Sequence, residues 1–280
     1  MKSYAKINLT LDIIGKRENA YHDLETIFQT VSLHDDVSLR FTDSGGVTVI
    51  SNLEHLPTGE KNLAVKATLA FWEYQGQLPK NVEITLYKRI PIFAGLGGGS
   101  SNAAAVLTLL NDEEKDPLSI DSLMDIAETI GADVPFFLMG GTAFGEGIGE
   151  ILTPLPSLSP CHILIVKPNF ACSTKEIFEK IDHGKIGTKP KTEEAIHALE
   201  EGKDISPYLC NVLMEGLGAE GEKIKEIIKY MKVLGAQNAS MTGSGSAVFG
   251  IFQEEGLAHD AHIVLKEIYP EVYQTTPVGN

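Results

Sequence analysis

Seven consecutive residues, Gly95-Leu96-Gly97-Gly98-Gly99-Ser100-Ser101, offer the clearest chemistry in this 280-residue chain. Phosphate oxygens need several converging N–H donors, and residues without a Cβ let the backbone curl tightly enough to supply them. Gly97, Gly98 and Gly99 give that freedom, while the Ser100 and Ser101 hydroxyls are able to bond phosphate or reach Mg2+. The stretch is not a Walker A loop, because no lysine follows the glycines. It is not a dinucleotide fingerprint, because the third glycine is replaced by Ser100, and no G-x-S-x-G hydrolase elbow is present. Taken alone it marks an anion site with its ligand open.

The surrounding elements sharpen that reading. Val82, Ile84 and Leu86 alternate as a strand, the segment turns at Pro91, the glycines follow, and Ser101 to Leu110 reads as an alanine-rich helix. A helix that starts beside the loop adds free N–H groups and partial positive charge. Upstream, Ala5, Ile7, Leu9 and Leu11 alternate with Lys6, Asn8 and Thr10, which predicts a strand with Lys6 and Asn8 on one face. Strand-like runs cover Leu24 to Leu33 and Val37 to Phe41, and Ser44-Gly45-Gly46 reads as a hairpin turn into Val47 to Ile50. A helix over Asn62 to Tyr74 is closed by Gly76. Ser122 with Asp125 predicts a capping box for a helix ending at Gly131, after which Gly131-Ala132-Asp133-Val134-Pro135 reads as a loop, with Val134 extended by the proline after it.

Downstream, the Pro-rich stretch Thr153 to Pro160 is the linker candidate, dividing the chain into 1–153 and 154–280. His162 to Val166 reads as a buried strand, Ser173 with Glu176 opens a helix through Phe178, and Ile224, Ile227, Ile228, Met231 and Leu234 form an apolar helical face stopped by Gly235. The loop Thr242 to Ser246 precedes a strand over Ala247 to Phe252. Strands and helices mix without long βαβ repeats, so the fold class is α+β.

Composition limits the partners. With 43% hydrophobic and 22% charged residues the chain is ordinary globular material, and no stretch approaches the roughly 20 apolar residues of a bilayer span. No membrane association is expected. The start, Met1 to Lys6, has no apolar signal core, so a cytoplasmic location is expected. A net charge of −15 repels polyanions at long range, which argues against a nucleic-acid partner but not against a single nucleotide. Cys161, Cys172 and Cys210 fit neither a disulfide framework nor a metal motif. His259 and His262 sit one helical turn apart without an identified third ligand and read as surface residues. On residue type alone Asp133 reads as a turn former and Lys6 as a solvated strand lysine.

The segment Pro91 to Ala104 resembles the ATP loop of the GHMP kinases. Ala5-Lys6-Ile7-Asn8-Leu9, Tyr21-His22, Gly131 to Phe137, Gly141-Thr142-Ala143 with Glu146 to Glu150, and Met241 to Phe249 extend the resemblance over nearly the whole chain. They narrow it to the branch acting on a cytidine diphosphate-linked alcohol in the non-mevalonate isoprenoid route. The resemblance implies a two-domain fold: an N-terminal ATP-binding domain like the second domain of ribosomal protein S5, and a ferredoxin-like C-terminal domain. It implies ATP as co-substrate with Mg2+, and transfer of a phosphoryl group to the substrate's 2-hydroxyl. Asp133 would accept the hydroxyl proton and Lys6 would orient the hydroxyl and offset developing charge.

By the same resemblance Asn62 would bond adenine, and Pro91, Gly95, Leu96, Gly97, Gly98, Gly99, Ser100 and Ser101 would cradle the phosphates, with Ser101 the one candidate near the metal. Tyr21 and Phe178 would sandwich the cytosine, His22 would read its edge, and Asn8 and Thr174 would meet the diphosphate-erythritol portion. Two departures stand out: Ala20 where a glycine is usual, and Phe93-Ala94 where the family is richer in glycine. Another GHMP kinase would not need Tyr21, His22 and Phe178 together, and a nucleotide sensor without turnover would not need both Lys6 and Asp133.

Overall fold

The structure, a computed structural model, describes residues 1–18, 21–183 and 187–279. The departure at Ala20 lies outside the described residues. In chain order the first half carries β1 (Lys2–Lys16), β2 (His22–Phe41), β3 (Val47–Ser51), α1 (Leu63–Tyr74), β4 (Val82–Tyr87), α2 (Gly98–Asp112), α3 (Ile120–Ile130), α4 (Val134–Met139) and β5 (Thr142–Glu146). There follow β6 (Ile151–Leu155), β7 (His162–Lys167), α5 (Thr174–His183), α6 (Thr192–Glu200), β8 (Cys210–Asn211), α7 (Glu220–Val233), β9 (Asn238–Met241), β10 (Val248–Phe252), α8 (Glu255–Lys266) and β11 (Glu271–Thr275). The chain forms two compact units, one of Met1–Ala5, His34–Ile90 and Gly97–Met139, the other of Lys6–Leu33, Pro91–Leu96 and Gly140–Asn280.

In the first unit the end of β2 pairs antiparallel with β4, and β4 pairs parallel with β3. The expected hairpin from Gly45-Gly46 is therefore not formed between neighbours in sequence, since β4 inserts between β2 and β3. Asn81 explains the insertion: its Oδ1 accepts from the Gly46 N–H at 2.8 Å, and the Val82 N–H then bonds the Gly46 carbonyl at 2.9 Å. Both glycines hold positive φ, so the turn is tight but delivers β3 to the far edge of β4. Helices α1, α2 and α3 bury Phe71, Trp72, Leu107, Leu110 and Ile126 with Ile84 and Leu86 of the sheet. Each such side chain contributes roughly 1.5–3 kcal/mol by leaving water. Ala103, Ala104 and Ala105 make the buried side of α2 thin enough for the neighbouring helix α1 to approach.

Three boundaries differ from the sequence reading. Helix α2 begins at Gly98, not Ser101, so Gly98, Gly99 and Ser100 are its first turn. Helix α3 is capped by Ser119, whose hydroxyl accepts from Ser122 N, one turn ahead of the expected box. Val134 is helical rather than extended, because Pro135 falls in the first turn of α4, where its missing N–H costs no bond.

In the second unit the first part of β2 pairs antiparallel with β5, and β5 with β6. Thr153 to Leu155, expected as linker, thus belong to β6, with Pro154 on a strand that pairs on one side only. Strands β11, β7, β10 and β9, in that order, form an antiparallel sheet. With α7 and α8 in the connections this is a βαββαβ arrangement of the ferredoxin-like kind. Ile224, Ile227 and Met231 of α7 and Ala258, Ala261 and Leu265 of α8 cover its inner face.

Candidate active site

In the first unit, Gly97 caps α2 with φ 70° and ψ 16°, a left-handed conformation that glycine adopts without strain. The Ser101 N–H bonds back to the Gly97 carbonyl at 2.9 Å. The N–H groups of Gly98, Gly99 and Ser100 therefore have no acceptor within the helix, and they stand as a row of donors at its positive end. Ser101 is 3% exposed and its hydroxyl lies 2.7 Å from the Ser3 hydroxyl. Asn62 caps α1: its Oδ1 accepts from Ala64 N at 3.0 Å and its Nδ2 donates to the Pro57 carbonyl at 2.7 Å. The next residue, Leu63, lies 3.6 Å from where a Gly99 Cβ would stand, so Asn62 and the glycine loop share a neighbourhood. Asp133, half-buried, immediately precedes α4.

In the second unit, β1 carries Lys6 and Asn8 on one face as the alternation predicts. Both are buried, 4% and 1% exposed, so Lys6 is not the solvated strand lysine of the plain reading. Its ammonium donates to Asn8 Oδ1 at 2.8 Å and lies 5.2 Å from the Phe28 ring centre. Asn8 Oδ1 also accepts from Gly243 N at 2.9 Å and from the Thr242 hydroxyl at 3.1 Å, while its Nδ2 donates to Thr26 Oγ1 at 2.8 Å. The Thr242 to Ser246 loop is thereby tied to β1. It is tied to the glycine loop as well, through Ala247 N to the Ala94 carbonyl at 3.1 Å, and the Lys6 N–H bonds the Leu96 carbonyl at 3.1 Å. Gly95 has φ 77°, and a Cβ there would sit 2.2 Å from the Thr242 carbonyl oxygen. Pro91 is buried, whereas Phe93 holds φ 54° and is 77% exposed.

A second cluster of that unit gathers the base-reading candidates. His22, 8% exposed, hydrogen-bonds Asp182 Oδ1 through Nε2 at 2.7 Å, and its ring stacks on Phe178 with centres 4.6 Å apart and planes inclined by 24°. Lys16 donates to the other Asp182 oxygen at 2.5 Å. Hydrogen bonds from Lys16 and then His22 hold the Asp182 carboxyl below the usual carboxylate range. Tyr21 is 60% exposed, and Thr174, at the start of α5, bonds the Ser244 hydroxyl at 2.7 Å. Thr174 thus meets the same loop that holds Asn8.

Asp182, Thr26 and Thr242 were not among the sequence candidates. Asp182 was accessible, because it lies one helical turn beyond Phe178 on the same face; Thr26 carries no local signal, and Thr242 stood only as the first residue of the loop Thr242 to Ser246. Among the described residues no group of three or more His, Cys, Asp or Glu is placed to hold a metal ion. His262 belongs to no such group, and burial pushes its pKa down.

The chain matches the model of the GHMP kinases N terminal domain over residues 62–141 and that of the GHMP kinases C terminal over residues 192–271. The glycine loop and the ferredoxin-like sheet are those of a GHMP kinase. It is 43% identical over 278 residues to a 4-diphosphocytidyl-2-C-methyl-D-erythritol kinase of Caldicellulosiruptor bescii, covering 99% of this chain and 97% of that one. It is 39% identical to the kinase of the same name from Clostridium perfringens, over 100% of this chain and 98% of the other. A crystal structure of 4-(cytidine 5'-diphospho)-2C-methyl-D-erythritol kinase superposes with a TM-score of 0.84 at 34% identity, covering 100% and 99% of the two chains. Mevalonate kinase of Methanococcus jannaschii, 15% identical with a TM-score of 0.73 over 100% and 98% of the chains, shares the fold. The chain belongs to the 4-diphosphocytidyl-2-C-methyl-D-erythritol kinase family.

Proposed function

We propose that this chain transfers the γ-phosphoryl group of ATP to the 2-hydroxyl of 4-diphosphocytidyl-2-C-methyl-D-erythritol, a step of non-mevalonate isoprenoid synthesis. The observation that carries this reading is likeness over the full length to relatives bearing that name. The glycine loop receives the ATP phosphates on the N–H groups of Gly98, Gly99 and Ser100, with Pro91, Gly95, Leu96, Gly97 and Ser101 shaping it, and Asn62 meets adenine. Mg2+ would accompany ATP and supply positive charge at the phosphates, with Ser101 the one side chain of the loop read as a candidate ligand.

Asp133 takes the proton of the 2-hydroxyl as the new O–P bond forms and the bond to the β-phosphate oxygen breaks, releasing ADP. Lys6 orients that hydroxyl and offsets charge on the transferring group. Its ammonium is held by Asn8 Oδ1, and holding it beforehand lowers the cost of reorganisation during transfer. Tyr21 and Phe178 hold the cytosine, His22 reads its edge, and Asn8 and Thr174 serve the diphosphate-erythritol end.

A division into an N-terminal ATP-binding domain, 1–153, and a C-terminal domain, 154–280, is part of this proposal, supported by the matched segments 62–141 and 192–271, although the compact units divide the chain differently. The expected cytoplasmic location and absence of a nucleic-acid partner remain parts of this proposal. Among the described residues no helix is long and apolar enough to cross a membrane.

Incubating the protein with Mg-ATP and the cytidyl alcohol, and separately with mevalonate and homoserine, tests the reading by ADP release. ADP formed only with the cytidyl alcohol is expected. Activity confined to a non-nucleotide alcohol would overturn it.

A further inference from the structure

The loop Pro91 to Ser100 contains four glycines, so its own backbone does little to hold its shape. Its two ends meet at one carboxylate. Asp35, fully buried, accepts through Oδ1 from the N–H groups of Arg89 and Ile90 at 2.7 and 2.8 Å, where the chain enters the loop. Its Oδ2 accepts from Asn102 Nδ2 at 2.9 Å, on the helix that leaves the loop, and from the ammonium of Lys88. Lys88, 7% exposed, donates in turn to Asn102 Oδ1 at 2.8 Å. Asn102 Nδ2 donates to Ser3 Oγ at 2.9 Å, and Ser3 lies 2.7 Å from the Ser101 hydroxyl. The backbone of Lys88 is itself pinned on both sides by the Asn52 amide, at 2.7 and 3.1 Å.

A buried ion pair gives little net stability compared with apolar residues of the same volume. This one does something an apolar pair would not: it bonds the incoming strand and the outgoing helix to a single point. The ammonium also lies against the loop, 3.3 Å from where a Gly98 Cβ would stand.

We infer that Asp35, Lys88 and Asn102 are positioning residues that clamp the two ends of the phosphate loop and set the direction of its N–H groups. The inference rests on the proposed phosphate-binding role of that loop. In this arrangement the three residues touch no substrate; they fix the loop before ATP arrives, so that little ordering is left to be done on binding.

Two variants test it. Asn102→Ala cuts the helix end free while leaving the ion pair, and Asp35→Asn with Lys88→Met removes both buried charges together, which keeps the fold from carrying an unpaired one. Amide hydrogen exchange over Ser101 to Ala103, whose N–H groups bond back to the loop's first helical turn, is read without ligand, and calorimetric titration measures a non-hydrolysable ATP analogue and, separately, the cytidyl alcohol. The expected result in both variants is exchange there at least tenfold faster and analogue affinity at least tenfold weaker, with cytidyl-alcohol affinity within threefold of wild type. Wild-type protection in both variants would overturn the clamp, as would an equal, parallel loss of both ligands. A wild-type chain that binds no ATP analogue would overturn the phosphate-loop reading instead, and the exchange rates would still decide the clamp.

Discussion

Replacing Gly95 by alanine separates two reasons for a glycine at one position. The residue holds φ 77°, and a Cβ would stand 2.2 Å from the Thr242 carbonyl oxygen and 3.1 Å from its carbonyl carbon. The left-handed backbone costs an alanine about 1–2 kcal/mol, and forcing a methyl against backbone that is itself tied down adds about 1–3 kcal/mol. The sum, about 2–5 kcal/mol, is a large part of the roughly 5–15 kcal/mol that keeps a protein folded. With an unfolding entropy of about 0.6 kcal/mol/K for a chain of this size, it lowers Tm by roughly 3–9 °C. Two other glycines calibrate the terms. Gly46 has φ 67° and nothing within 4 Å, so Gly46→Ala should show the backbone cost alone. Gly99 lies in the first turn of α2 with only Leu63 at 3.6 Å, so Gly99→Ala should leave Tm unchanged or raised while placing a methyl in the proposed phosphate loop. Scanning calorimetry at one fixed scan rate, followed by ADP release at varied ATP, measures all three. If Gly95→Ala costs no more than Gly46→Ala, the approach to Thr242 is not what demands glycine, and the argument fails.

Asp133→Ala should lower kcat by about 10²–10⁴ while an ATP analogue still binds within a few-fold, and near-normal turnover would remove Asp133 from the base role. Phe178→Ala should raise KM for the cytidyl alcohol roughly 5- to 150-fold with KM for ATP unchanged, as expected for the loss of one stacked base; equal effects on both substrates would point to a folding defect. Asp182 titrates below the ordinary carboxylate range because Lys16 and His22 bond it. The folded chain therefore binds fewer protons there than the unfolded chain, and the stabilisation is complete above about pH 5 and lost as pH falls through the depressed value. The Tm difference between wild type and Asp182→Asn should accordingly be present at pH 7 and shrink below about pH 4. A difference that persists undiminished at pH 2 would refute the assignment.

Residue pattern alone determined a good deal of this protein. Alternation placed Lys6 and Asn8 on one face of β1, the apolar period of α7 was correct to its stop at Gly235, and glycines followed by serines and alanines marked a loop opening a helix. These are local consequences of backbone geometry and side-chain period, so neighbours in sequence suffice to reveal them. Several motifs in order were specific enough to indicate the family.

Tertiary structure decided what depends on distant residues. Only the fold shows that Lys6 is buried rather than solvated, its ammonium bonded to Asn8 Oδ1, which Thr242 bonds from 234 residues away. Only the fold places β4 between β2 and β3, since Asn81 intercepts the turn that would have made a hairpin. The glycine loop shows the division most clearly. Its freedom is written in its composition, but its shape is held by Asp35, Lys88 and Thr242, and their pairings with the loop carry no local signal because hydrogen bonds across a folded core leave no period in the sequence.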